Sequence, residues 1–136
     1  MRNVGIGRLR GKIIYILLTF FYMAIIAYIS LQPVDSSYKA GVVREVFHNL
    51  LHIPAYGLLA YLVLYCFSLL KVRTYIFTFI IATLYGIFME FCQSFIPGRF
   101  ASLMDILLNT TGIILSLIVI YYFHAIRTRE YTQHMR

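Results

Sequence analysis

The stretch Thr74–Phe123, TYIFTFIIATLYGIFMEFCQSFIPGRFASLMDILLNTTGIILSLIVIYYF, decides the fold. Sixteen residues from Thr74 to Met89 carry no charge, and eighteen from Ile106 to Phe123 carry none. Between these runs the chain gathers Glu90, Gln93, Arg99, Asp105 and Asn109. A helix needs roughly 20 apolar residues to cross the hydrocarbon layer of a membrane. Two such runs joined by a Pro-Gly turn read as a membrane hairpin with its polar groups collected at one end.

Working outward, Ile13–Leu31 is nineteen residues without a charge, and His52–Leu70 is nineteen in which only His52 ionises. The pattern predicts four transmembrane helices, at about 12–31, 50–70, 74–95 and 103–123. The fold class expected is an all-α, integral membrane four-helix bundle, with residues 1–136 as one domain. Composition agrees, since 61% hydrophobic with 12% charged residues is far from the balance of a soluble domain. The first run follows basic residues but exceeds the roughly 7–15 apolar residues of a secretory signal, so it reads as an uncleaved helix.

The basic residues have an address. Arg2, Arg8, Arg10 and Lys12 precede the first helix, Lys71 and Arg73 separate the second and third, and Arg127, Arg129 and Arg136 follow the fourth. With four crossings, nine of the twelve Lys and Arg residues lie on one side, against Lys39, Arg44 and Arg99 on the other. The positive-inside rule then puts both termini in the cytoplasm. The net charge of +7 becomes a topology signal and a contact with anionic lipid, rather than a sign of nucleic-acid binding.

The connections are short. Lys71–Arg73 makes a cytoplasmic turn and Ile96–Arg99 an outer one, where Pro97 fixes one dihedral and Gly98 tolerates the next. The longest connection, Gln32 to about Asn49, lies outside. Within it Val42, Val43, Val46 and Phe47 recur at helical spacing, as an interfacial helix or an extension of helix two. Cys66 and Cys92 fall at different depths, which argues against a disulfide between them.

Under this topology every strongly polar group of helices two to four falls at the outer end. His52 and Tyr56 are i,i+4, Glu90 and Gln93 are i,i+3, and Asp105 and Asn109 are i,i+4, with Gly112 three further on. Each pair shares a face of its helix, and three such faces turned inward make one pocket rimmed by Arg99. A carboxylate at a helix centre costs roughly 2.5–3.5 kcal/mol on insertion scales. Glu90, nearer the end, still needs a partner, and Arg99 and His52 are the nearest candidates. Asp105 gains from the dipole at the start of helix four.

The candidate catalytic residues are therefore Glu90, His52 and Asp105, with Glu90 the leading proton-transfer group. Arg99, Gln93, Asn109 and Tyr56 are the candidate substrate-binding residues, and the planar fork of Arg99 suits a phosphate or carboxylate. Each has a plainer reading. His52 can cap a helix, Arg99 can snorkel to a headgroup, and Asp105 and Asn109 can cap and pack. Gly57, Gly86 and Gly112 suit close helix approach. No pair such as His-x-x-x-His suggests a metal, and no metal or cofactor is expected. Asn109-Thr110-Thr111 fits the glycosylation pattern only by accident, inside a helix.

These residues resemble a family. HNLLHIPAYGLLAYLVL from His48, followed by GIFMEFCQSFIPGRFASLMDILLNTTG from Gly86, is similar to the VanZ-like family of small bacterial membrane proteins. In that family a helix opening with His and an aromatic residue precedes Glu-x-x-Gln, a Gly-Arg turn, an Asp, an Asn four residues later and a Gly. Here those positions hold His52, Tyr56, Glu90, Gln93, Gly98, Arg99, Asp105, Asn109 and Gly112, within residues 48–116. Where many relatives have Asp-Lys upstream of the His, this chain has His48 and Asn49. The resemblance implies a multi-pass protein of the bacterial cytoplasmic membrane associated with resistance to the glycopeptide teicoplanin. It brings no settled reaction, cofactor or substrate.

Two readings follow. In one, the outer-leaflet pocket binds a lipid or lipid-linked cell-wall precursor, with or without modifying it. In the other, the bundle is a non-enzymatic scaffold or regulator of a membrane-protein partner. The polar cluster then only holds the helices together, and Tyr75, Phe77 and Phe79 face outward. Transport ranks behind both, because no polar groups continue through the cytoplasmic halves to form a path.

Overall fold

The computed structural model describes residues 2–33, 49–67 and 71–134. Among the described residues the main helices are α1 over Arg2–Ser30, α2 over His52–Tyr65, α3 over Val72–Gln93 and α4 over Leu103–His134. The expected helical stretch within the 32–49 connection, including Val42–Phe47, lies outside the described residues. Three segments, Leu9–Ser30, Val72–Gln93 and Leu103–Glu130, are long and apolar enough to cross a membrane.

Helix α2 departs from the expected span at about 50–70. It has 14 residues, and at 1.5 Å per residue it rises about 21 Å, short of the roughly 30 Å hydrocarbon layer. Its end carries no glycine or proline signal. The backbone tightens instead, with Cys66 N–H on the Val63 carbonyl and Phe67 N–H on the Leu64 carbonyl, both at 3.2 Å. Such i to i−3 bonds close a last turn. Helix α4, at 32 residues, runs past the expected end at 123. Helix α1 likewise takes in the basic residues before Lys12.

Side-chain rungs set the order of the bundle. At one end Arg99 Nη1 donates to the Ser30 carbonyl at the C-terminus of α1. Midway, Tyr22 Oη donates to the Ala55 carbonyl at 3.1 Å and Tyr85 Oη to the Met23 carbonyl at 2.6 Å. At the other end Tyr15 stacks on Tyr65 with centroids 5.3 Å apart, and Tyr75 meets Tyr121 edge-on at 5.9 Å. Consecutive helices therefore run antiparallel. Arg10, Lys12, Lys71, Arg73 and Arg127 gather at one end of the bundle, and Glu90, Arg99 and Asp105 at the other.

The short helix α2 is the core element. Its Tyr56, Leu59, Ala60, Val63 and Leu64 are buried against Ile26, Ala82, Ile113 and Leu117. The outer surface is apolar, with Phe20, Phe21, Phe88 and Ile118 all more than half exposed. A belt of that kind suits contact with acyl chains. Of the three aromatics expected on that surface, only Phe77 is exposed. Tyr75 and Phe79 pack against the core.

Glycine sets how closely α2 and α4 approach. A Cβ at Gly112 would overlap the backbone of Ile53 at its carbonyl, and one at Gly57 would lie 3.2 Å from the Gly112 carbonyl oxygen. A Cβ at Gly86 would press on the Tyr56 ring at 3.1 Å and on Asn109. Cys66 and Cys92 are free thiols.

Candidate functional site

The polar end is built around the α3–α4 turn. Helix α3 unwinds after Gln93, and Arg99 N–H then closes on the Ile96 carbonyl at 3.1 Å. Gly98 takes φ 78°, and with Pro97 before it this is a type II turn. The turn points Arg99 back toward α1, which is how its guanidinium reaches Ser30.

Ser102 then starts α4. Its Oγ accepts from the Asp105 N–H at 3.3 Å, the bond of an N-cap residue to the third helical position. In a capping box the carboxylate at that third position would reach back to the cap's own N–H. Here the donor is taken by another helix: Ser102 N–H bonds Glu90 Oε2 at 3.0 Å. Asp105 is released from the box, and its Oδ1 is buried without a hydrogen-bond partner among the described residues.

Glu90 is only 2% exposed within the protein, so its carboxylate is covered by the bundle and not by lipid. Gln93, one turn on, is buried beside it. With its amide assigned from its neighbours, Gln93 donates to Glu90 Oε2 at 3.2 Å and accepts from Arg99 Nη1 at 3.1 Å. Arg99 is thus linked to Glu90 through Gln93, where the sequence suggested a direct pair. On the facing side His52 Nδ1 lies 2.8 Å from Asn109 Oδ1. With the Asn109 amide in this orientation, its oxygen accepts from the His52 Nδ1–H. The His52 ring lies nearly parallel to Tyr56, at 8° and 6.4 Å. Asn109 Nδ2 is buried without a partner among the described residues.

All seven candidates lie at the same end of the bundle. His52 and Tyr56 come from α2, Glu90 and Gln93 from α3, Arg99 from the turn, and Asp105 and Asn109 from α4. Five are tied by the bonds above. Asp105 and Tyr56 are placed by charge and packing: both Glu90 and Tyr56 lie within range of the Asp105 carboxylate. A cavity of about 280 Å³ opens between α1 and α2 beside this cluster. His52, Tyr56, Gln93 and Arg99 line it on one side, and Tyr22, Ile26 and Ile29 of α1 on the other. Glu90, Asp105 and Asn109 lie behind that wall. Among the described residues no group of three or more His, Cys, Asp or Glu is arranged to hold a metal ion.

Several contributors were missed in the sequence. Ser102 had a signal, because Ser-x-x-Asp before an apolar run marks a helix start. The Ser30 carbonyl, Tyr22 and Tyr85 had none, since their roles depend on which helices meet. Thr74 and Thr78 are buried on α3 toward the basic end, and Thr78 Oγ1 has no partner among the described residues. That half of the bundle is therefore less purely apolar than a count of strongly polar residues suggests.

No curated protein and no solved structure matches the chain. The model of the VanZ/LLP1 family matches residues 8–124, which takes in α1 as well as the polar helices. With most of the sequence covered, including all seven residues that converge at the polar end, this multi-pass membrane chain belongs to the VanZ/LLP1 family.

Proposed function

We propose that the polar end of the bundle lies at the outer face of the bacterial cytoplasmic membrane and binds the anionic headgroup of a lipid or lipid-linked cell-wall precursor. The carrying observation is the cavity of about 280 Å³ that presents Arg99, Gln93, His52 and Tyr56 beside an apolar wall of α1. A guanidinium next to an apolar wall suits an amphiphile: the fork holds the phosphate or carboxylate and the wall takes the hydrocarbon. The orientation rests on the basic residues collected at the opposite end, which favours both termini in the cytoplasm. The odd element is α2, whose 14 helical residues are fewer than a full crossing needs.

Glu90 and Asp105, off the cavity lining, are the groups able to move a proton, and His52 is the imidazole that lines the cavity. In this form of the reading the bound headgroup is modified as well as held. Glycopeptide resistance fits a protein that changes what the outer leaflet presents.

Variants Glu90→Gln and Arg99→Ala, retained only if their unfolding temperature stays near that of the parent, are purified and their bound lipid identified by mass spectrometry. Host susceptibility to teicoplanin is measured in parallel. Loss of an anionic lipid and of resistance in Arg99→Ala supports the pocket. Parental behaviour of both variants rejects it. The scaffold reading is favoured by one observation, that the His52–Asn109 and Glu90–Ser102 bonds each join separate helices. It requires activity to fall only in step with thermal stability.

A further inference from the structure

We propose that a second groove, between α2 and α4, seats an acyl chain of an anionic phospholipid whose headgroup is held by Arg127 and His124 at the basic end of the bundle. The groove encloses about 720 Å³. Its floor is thin because Gly57 and Ser116 face each other there, and Tyr61, Tyr65, Val119 and Phe123 wall it. The close approach that creates the floor is enforced where Gly112 meets Ile53. From Ile53 to Tyr65 it follows α2 for about 18 Å at 1.5 Å per residue, close to the depth of one leaflet of a roughly 30 Å hydrocarbon layer.

Charge selects the occupant. The lining carries no ionisable side chain other than its tyrosines until its last two residues, His124 and Arg127, one turn apart on α4 and both exposed. An arginine with an imidazole one turn away, closing a largely apolar channel at the headgroup level, matches a chain ending in a phosphate. A second copy of this chain matches poorly. Two copies facing across the groove by a twofold axis would bring their Arg127 side chains together at one depth. This site is separate from the cavity beside Arg99 and stands whether or not that cavity binds lipid.

The chain contains no tryptophan, so one introduced residue reports alone. Val119→Trp places it on the groove wall, at a position 52% exposed and therefore tolerant of a larger side chain. Leu115→Trp is a second reporter should the first fail to fold. Ile81→Trp, exposed on α3, is the control. In vesicles, quenching by phosphatidylglycerol brominated on its acyl chains is compared with quenching by brominated phosphatidylcholine. The groove reporter should prefer phosphatidylglycerol about fivefold, the effect of one well-placed cation, and the control should show no preference. Arg127→Gln in the reporter background should abolish the preference. Equal quenching by the two lipids at residue 119, or a preference that survives Arg127→Gln, overturns the proposal. Shielding of the groove reporter from both lipids would show a second copy in the groove and overturns it as well.

Discussion

Glu90 Oε2 accepts the backbone N–H of Ser102 at 3.0 Å, the donor that Asp105 would otherwise cap within its own helix. A carboxylate of α3 thus closes the start of α4 and fixes the hairpin, while Asp105 is left facing the cluster. Glu90→Ala should orphan that N–H at a cost of about 1–3 kcal/mol, the penalty for a buried donor without a partner. Glu90→Gln keeps an acceptor oxygen and should lose clearly less. Thermal unfolding in detergent separates them, and equal unfolding temperatures would show that the bond contributes nothing.

Ser102→Ala tests the other half of the junction. It removes the hydroxyl that accepts from Asp105 N–H but keeps the backbone N–H that Glu90 holds. The expected loss is about 1 kcal/mol, typical of an N-cap, with faster amide exchange at Asp105 and unchanged lipid retention. If Ser102→Ala released the lipid as Arg99→Ala is expected to, the cap and the pocket could not be treated as separate.

Glycine substitutions should rank by what their Cβ meets. At Gly112 the obstacle is the Ile53 backbone, which cannot rotate aside, so Gly112→Ala should cost at least the 1–3 kcal/mol usual for overpacking. At Gly57 the contact is a 3.2 Å approach to one carbonyl oxygen, and a small shift relieves it. Gly86→Ala meets side chains, the Tyr56 ring and the Asn109 amide. It should disturb His52 more than it disturbs the fold. Detergent unfolding temperatures should fall furthest for Gly112→Ala, and Gly57→Ala falling further would reverse the ranking argument.

The convergence of the cluster was legible because spacing alone puts His52 with Tyr56, Glu90 with Gln93, and Asp105 with Asn109 on shared helix faces. Short connections then forced those faces to one end. The length of α2 was not legible: Cys66-Phe67 ends the helix by i to i−3 bonds, and nothing in its residue types differs from the apolar run before it. The wiring within the cluster was equally hidden. Which oxygen Arg99 reaches depends on where the end of α1 stands, and the sequence of the 96–99 turn says nothing of Ser30. Tyr75 and Phe79 were misjudged because a uniformly apolar helix shows no polar face from which to infer its buried side.

Arg99 offers the sharpest separation of charge from geometry. Its Nη1 serves both the Ser30 carbonyl and the Gln93 amide oxygen, so one planar group joins α1 to the α3 carboxylate. Arg99→Lys keeps the positive charge but replaces the fork with a single ammonium. If the fork also holds an anionic headgroup, losing one charge-assisted bond of about 1.5–3 kcal/mol should weaken lipid binding at least tenfold. Arg99→Ala should weaken it further. A residue that merely anchored α1 would give another pattern, with both variants losing thermal stability and neither changing the ratio of anionic to neutral lipid retained. That ratio, measured by mass spectrometry across a matched detergent series, therefore decides between an anion-binding arginine and a structural one.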